Sequence, residues 1–239
     1  MMLGAHQPNF LPWCGYLHKL LVCDRFVLAD DVQFTSQSYT NRTRIRAMHG
    51  PRWLSVPVLT SGRSGQAIRG VRIDTSRNWR RKQWKTLRLS YAGAPFFERY
   101  ADAVDRLYNT RWTHLIDLNL AGLTVLREAL KISTPVVRSS RLDLNLETST
   151  ERIISMVKTL GCDRYISGRG GSLDYLDRDR FEAAGIDLVF DDFAHPRYPQ
   201  RGDTFVPGLS AIDLLFNAGP RAADMLRGIP IATPTHEDA

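Results

Sequence analysis

Titratable and amide side chains in this sequence collect at the ends of short apolar runs, where a folded chain presents them to a ligand. His6-Gln7-Pro8 follows the run that begins at Met2. A histidine there can act as a general base, polarise a carbonyl, or simply hydrogen-bond its own loop. Asp30-Asp31 ends the run from Arg25 to Ala29, with Gln33, Asn41 and Arg42 shortly after. Adjacent strand side chains point to opposite faces, so these carboxylates are not expected to work as a catalytic pair. One would enter a site and the other cap or pair with an arginine. With Gln33 and Asn41-Arg42 the group either holds a polar substrate, through hydrogen bonds and a two-pronged arginine contact, or is an ion-paired loop.

Three later segments repeat the theme. Ser167 to Ser172 is glycine-rich, and Gly168, Gly170 and Gly171 would bare backbone N–H groups to an anion, or form a plain loop. The spacing is neither a Walker A motif nor the GxGxxG fingerprint. Asp191 to Gln200 sets His195, Tyr198 and Gln200 in a loop stiffened by two prolines. Ser210 and Asp213 lie one turn apart near a helix start. Ser210 reads most simply as its N-cap, whereas Asp213, inside an apolar run, needs a partner if buried; Arg42 and His195 are the candidates. Cys14, near a helix start, is a conceivable nucleophile. No HExxH, CxxC, GxSxG or zinc-spaced His/Cys set occurs, and no metal site is expected.

The elements that would position these groups follow from periodicity. Met2 to His6 and Arg25 to Ala29 read as strands joined by a Pro8–Pro12 loop and a short helix, Cys14 to Val22. Such a unit opens a parallel sheet, whose ligands bind beyond the carboxyl ends of the strands. Thr43 to Ala47, Trp53 to Val58 and Ile68 to Ile73 predict a small β layer around the turn His49-Gly50-Pro51. Helical spacing then runs over Trp79 to Tyr91, Phe96 to Tyr108 and Thr113 to Leu130. Pro135 to Arg138, Arg164 to Ser167 and Ile186 to Phe190 are further strands. Helices are predicted over 148–160, with the capping box Thr148 to Glu151, over Arg178 to Ala184, and over a final Ser210 to Asn217. The fold class predicted is α/β: a mostly parallel, Rossmann-like sheet flanked by helices, with a small β layer and a helical insert. Residues 1–228 would form one domain, the insert covering about 74–131, and 229–239 a flexible tail.

The chain has 239 residues and a net charge of +7. Between Arg42 and Arg88 stand 13 Lys or Arg residues and one acid, Asp74. That face is either merely solvated or receives an anionic partner such as a nucleotide, a phosphopantetheine carrier protein or RNA; no nucleic-acid motif supports the last. No apolar run nears the roughly 20 residues of a membrane span, and no signal peptide is recognised. Three cysteines without metal-like spacing fit reduced thiols in a cytoplasmic protein.

The blocks HQPNFLPWCGYLHKL, DRFVLADDVQF, NRTRIR, WLSVPV, RYISGRGGSLDYL, AGIDLVFDDFAHPRYPQ and FVPGLSAIDLLFNAGP resemble the WbqC-like protein family, in the family's order, over about residues 2 to 222. The family's polar pattern falls on Gln7, Asp31, Gln33, Asn41, Arg42, Gly168, Tyr175, His195, Tyr198, Gln200, Ser210, Asp213 and Asn217. Members differ at the place of His6, and Cys14 is outside the pattern. The resemblance implies acyl or aminoacyl transfer onto an amine, such as that of a nucleotide-linked amino sugar, in cell-surface sugar or natural-product biosynthesis. His195 with Asp31 or Asp213 would then take the amine's proton, with His6 the alternative base. Gln7, Asn41 and Arg42 would orient the donor or hold the oxyanion. Asp30, Gln33, the glycines, Tyr175, Tyr198, Gln200 and Ser210 would bind substrate. No tightly bound cofactor is implied; the acyl donor would be coenzyme A or an acidic acyl carrier protein thioester. The opening unit is also similar to nucleotidyltransferases with an HxGH signature, Cys14 and Tyr16 replacing the histidines. That keeps open a nucleotide-dependent nucleotidyltransferase or ligase, besides a non-catalytic partner in a biosynthetic complex.

Overall fold

A computed structural model describes residues 1–144, 148–168 and 176–228. The glycines at 170 and 171, Tyr175, and the tail 229–239 lie outside the described residues. In chain order run β1 (Met2–His6), α1 (Cys14–Val22), β2 (Arg25–Leu28), β3 (Arg42–Ala47), β4 (Gly50–Ser55), α2 (Trp79–Tyr91), α3 (Phe97–Asn109), α4 (Leu115–Ala129), β5 (Val136–Arg138), α5 (Ser149–Thr159), β6 (Arg164–Ser167), α6 (Arg178–Ala183), β7 (Asp187–Phe190), α7 (Ala211–Ala218) and α8 (Ala222–Leu226).

The period-2 alternation of the short apolar runs builds a sheet buried on both faces. Phe26, Leu28 and Ile166 turn into the core shared by α1, α2, α3, α4, α7 and α8. Leu3, Val27 and Tyr165 turn the other way, onto Ile153, Ile154 and Val157 of α5 and Phe181 of α6. Gly4 pairs with Phe26 between the faces, where a Cβ would meet the Phe26 ring at 3.0 Å and the Cys23 sulfur at 3.1 Å. All strand pairings in this sheet are parallel, in the order β5-β2-β1-β6-β7. The chain grows outward from β1 on one side through β2 and β5, then restarts at β6 on the other. That reversal opens a crevice beyond the carboxyl ends of β1 and β6.

β3 and β4 form a separate antiparallel hairpin in register Thr43↔Leu54 and Ile45↔Arg52. Ile68 to Ile73 is not the strand expected. It is a 3-10 turn, Ile68–Gly70, followed by single bridges. Its amides bond irregular loops, Ile68 N to Val32 O, Arg69 N to Asp30 O and Ile73 N to Thr113 O, so no ladder forms. The last helix does not end the described fold either: Gly219-Pro220 turns the chain into α8. Thr148 is the α5 N-cap, its hydroxyl accepting from Glu151 N at 3.1 Å.

The loop between β1 and α1 is held from three sides. Asn119 of α4 donates to Pro8 O and Thr40 O. The Leu11 carbonyl accepts from the Thr43 and Ser210 hydroxyls, at 2.9 and 2.8 Å. Leu11 itself is fully buried at φ +42°, a left-handed conformation that a side chain adopts only when its surroundings over-determine it.

Candidate functional site

The crevice encloses about 300 Å³ and is lined by His6, Trp13, Gly15, Tyr16, Lys19, Gly168, Asp191, Asp192 and Phe193. It is supplied by the end of β1, the start and first turns of α1, the end of β6, and the segment that leaves β7 and folds back over α1. Gly15 lets the roof sit low, since a Cβ there would lie 2.3 Å from the Trp13 ring and 3.0 Å from Phe193. Trp13 and Phe193 meet edge to face at 5.8 Å, and His18 packs on Phe193 at 5.0 Å.

Polar groups inside the crevice are left with unused capacity. His6 Nδ1 lies 3.0 Å from the Gln7 carbonyl, which assigns the ring proton to Nδ1 and leaves Nε2 as an acceptor. Burial and the neighbouring Lys19 charge push the imidazole down to about 4, so it is neutral at physiological pH. Lys19 is 7% exposed, and its ammonium has one long contact, 3.5 Å to Ala5 O. Burial pushes it below the ordinary lysine value, the Asp191 carboxylate countering in part. The Tyr16 hydroxyl is buried with no partner among the described residues, and its ring lies 4.8 Å from His6. Asp191 pairs with His18 Nδ1 at 3.2 Å, which tethers the β7 segment to α1. A neutral base, a desolvated cation and aromatic walls thus face one cleft. Such a set can accept a proton from an amine and hold a developing oxyanion, or grip a phosphate or carboxylate.

The polar residues singled out in the sequence are distributed over this crevice and two other centres. His6 and Gly168 line the crevice. Gln7, next along, accepts from the Thr40 hydroxyl at 3.4 Å, which joins it to the start of the hairpin. There Asn41 donates to Val56 O and keeps a buried Oδ1 without a partner among the described residues, while the Arg42 guanidinium lies 4.2 Å over the Trp53 ring. Gln33 is exposed, bridged to Ala67.

Asp30 and Asp31 lie past the end of β2, so strand alternation does not separate them as expected; both reach the Ser139 hydroxyl. Arg138 grips Asp30 Oδ2 through Nε and Nη2, each at 2.7 Å, with Ser140 adding its amide at 3.0 Å. Burial alone would raise the Asp30 carboxyl, but these donors hold it below the ordinary carboxylate value. Asp31 pairs with Arg152 of α5. Both carboxylates are therefore occupied by arginines.

Asp213 is fully buried and accepts from Tyr91 Oη (2.7 Å), Tyr198 Oη (2.9 Å) and Gln200 Nε2 (3.1 Å), not from Arg42 or His195. Burial raises its carboxyl despite these donors. Tyr91 Oη in turn accepts from Arg46 N, and Gln200 closes a ring with Val206. Ser210 precedes α7 but does not cap it with its side chain, because its hydroxyl is committed to Leu11 O. His195 meets neither Asp31 nor Asp213. Its Nδ1 faces Pro196 O, its buried Nε2 has no partner among the described residues, and Phe193, Tyr198 and Phe205 surround the ring. Burial lowers its pKa. Cys14 is fully buried and its thiol pushed up to about 12, which removes the thiolate a nucleophile needs.

Lys19, His18 and Asp191 escaped the sequence reading as site residues. Lys19 follows Tyr16 by one helical turn, a cue that both share a face, but in a short helix a lysine ordinarily snorkels to water.

Residues 7–225 match the model of the WbqC-like protein family. The chain belongs to that family. A relative, the uncharacterized protein Rv1507c of Mycobacterium tuberculosis, is 34% identical over 223 residues, covering 92% of this chain and 95% of the relative. No solved structure matches. Of the crevice groups in this WbqC-like chain, Lys19, Gly168 and Asp191 fall inside the matched span and His6 just outside it. Among the described residues no helix is long and apolar enough to cross a membrane.

Proposed function

We propose that this WbqC-like chain transfers an acyl or aminoacyl group to an amine in the β1–β6 crevice. The observation that carries the reading is the pairing of a desolvated, nearly unbonded ammonium, Lys19, with an open imidazole nitrogen on His6 in one 300 Å³ cleft. The amine attacks the donor's carbonyl carbon, the carbonyl oxygen takes the charge beside Lys19 Nζ, and His6 Nε2 accepts the amine's proton. Collapse expels the donor's thiolate or alcohol leaving group, which receives that proton. Lys19 acts where charge develops, in a site shielded from water, where such stabilisation is strongest. His6 lies just outside the span that the family model matches, and the proton step is expected to tolerate replacement better than the anion-holding step. Nucleotide-linked amino sugars are the acceptors we favour, and coenzyme A or carrier thioesters the donors.

The test is acyl transfer from acyl-coenzyme A and acyl-pantetheine to a panel of amino-sugar nucleotides, read by mass spectrometry. Wild type forms the amide, His6→Ala slows it about 10²-fold, and Lys19→Met slows it more. Undiminished product from Lys19→Met would sink the assignment. A second reading rests on the strand order: the crevice lies at the reversal where parallel α/β sheets bind nucleotides, and Lys19 suits a phosphate equally well. It requires ATP consumption with release of pyrophosphate or AMP.

A further inference from the structure

Between Arg77 and Ser90 the chain carries six cations and no carboxylate. Arg77 is tied to Asp74, and Arg80 to the carbonyls of Asn109 and Thr110. Arg81, Lys85 and Arg88 are exposed and meet no carboxylate among the described residues. Beside them stands Leu89, 62% exposed, and across from it Met48 of the β3–β4 turn, 60% exposed. Leu89 walls two grooves. One, of about 460 Å³, runs along α2 over Trp84 and Ala92, rimmed by Arg81, Lys85 and Arg88. The other, of about 350 Å³, lies between α2 and the hairpin, lined by Met48, Pro51 and Arg52 among others. An aliphatic ridge within a cationic rim has the anatomy of a protein interface, and it asks for an acidic partner with an apolar stripe.

We propose that this α2–hairpin face docks an acidic acyl carrier protein, which delivers the donor to the crevice; the proposal rests on the acyl-transfer reading above. The fold joins face to crevice through a short bonded path. Tyr91, the last residue of α2, donates to Asp213 of α7, and Ser210, just before α7, bridges to Trp13 in the crevice wall. A carrier seated on α2 would extend its flexible thioester arm toward the crevice along these elements. The most exposed apolar side chains of the face, Leu89 and Met48, are aliphatic, and Trp84 on the groove floor is half-buried and already stacked on Phe97 and Tyr108, which favours protein over RNA. Single-stranded bases seek exposed aromatic faces and a duplex seeks a continuous phosphate track, and Leu89 and Met48 serve neither.

The experiment is fluorescence anisotropy of a labelled, phosphopantetheine-loaded bacterial acyl carrier protein against the full chain, at low and physiological salt. Expected is saturable binding that weakens with salt, falls at least tenfold in Arg81→Glu/Lys85→Glu/Arg88→Glu, and falls about fivefold in Leu89→Asp, which keeps every cation. Circular dichroism checks folding, and these exposed positions leave it intact. Lys19→Met binds the carrier like wild type. Absent carrier binding, or equal binding by wild type and both surface variants, overturns the proposal. So does tight binding of a labelled tRNA that depends on the same residues while the carrier fails to bind. The two readings separate cleanly. If the chain acylates amines from acyl-pantetheine but no carrier docks, only the docking surface falls. If the carrier docks on α2 yet Lys19→Met transfers normally, only the crevice chemistry falls.

Discussion

The chain segment from 191 to 213 contributes to two polar centres, Asp191 to Phe193 to the crevice and Tyr198, Gln200 and Asp213 to a buried carboxylate cluster, and they are built on opposite principles. Around Asp213 the side-chain donors Tyr91, Tyr198 and Gln200 end on the one carboxylate, so that both of its oxygens accept hydrogen bonds from within the fold. In the crevice, among the described residues, the Tyr16 hydroxyl has no partner, Lys19 has one long contact, and His6 keeps an open nitrogen. Buried polar groups are nearly always satisfied, because an unsatisfied one costs about 1–3 kcal/mol. A fully satisfied network holds a fold; a cleft whose groups are left wanting costs stability and signals a ligand. The lone carboxylate in an apolar helix drew the eye in the sequence, yet the modest lysine of α1 has the surroundings of a working residue.

That contrast can be broken by substitution. Asp213→Ala strands three donors and is expected to cost about 3–5 kcal/mol in denaturant melts, with activity lost only in proportion to unfolding. Lys19→Met should do the reverse: transfer falls about 10²–10³-fold while the melting temperature stays level or rises, since a nearly unpaired cation leaves the interior. A melt that drops by several degrees would instead make Lys19 a structural residue. The pH profile sharpens the same point. His6 must be neutral to accept a proton and stays so down to about 4, so the acid limb of the activity profile follows protonation of the acceptor amine rather than an ordinary histidine. The alkaline limb, set by Lys19 losing its charge, falls below the usual lysine value. Stability follows with a defined sign. The unfolded chain protonates His6 near 6.5, before the folded one does, so the stability present above that pH erodes as pH falls toward 4. The smallest effect is Tyr16→Phe, which removes a buried hydroxyl without a partner and should raise stability by up to about 1 kcal/mol while weakening ligand binding, read by paired melts and titrations.

Much of the scaffold was legible because its signals are local. The short apolar runs at Arg25–Leu28 and Arg164–Ser167, the proline loop after His6, the spacing of Trp79, Trp84, Leu87 and Tyr91, and the Thr148 capping box each act within a few residues. The pairings of the polar residues were not legible. Asp30 finds Arg138 and Asp31 finds Arg152 only because β5 and α5 come to the end of β2. Asp213 finds Tyr91 across 122 residues. Lys19 enters a crevice only because β6 returns beside β1 and the β7 segment folds over α1, a matter of strand order that no spacing encodes. Ile68 to Ile73 misled for the same reason: β-branched residues predict a strand, but no neighbouring edge was there to receive one.

The hydrogen atom that stands for a side chain at Gly15 also fixes the bore of the cleft. With the Trp13 ring 2.3 Å and Phe193 3.0 Å from where a methyl would sit, an alanine there must swing the indole aside and shift the roof. One position thus serves as a gauge of admissible substrate girth. Graded replacements at residue 15, paired with trimming of Trp13 or Phe193, offer a route to re-size the entrance without touching Lys19 or His6.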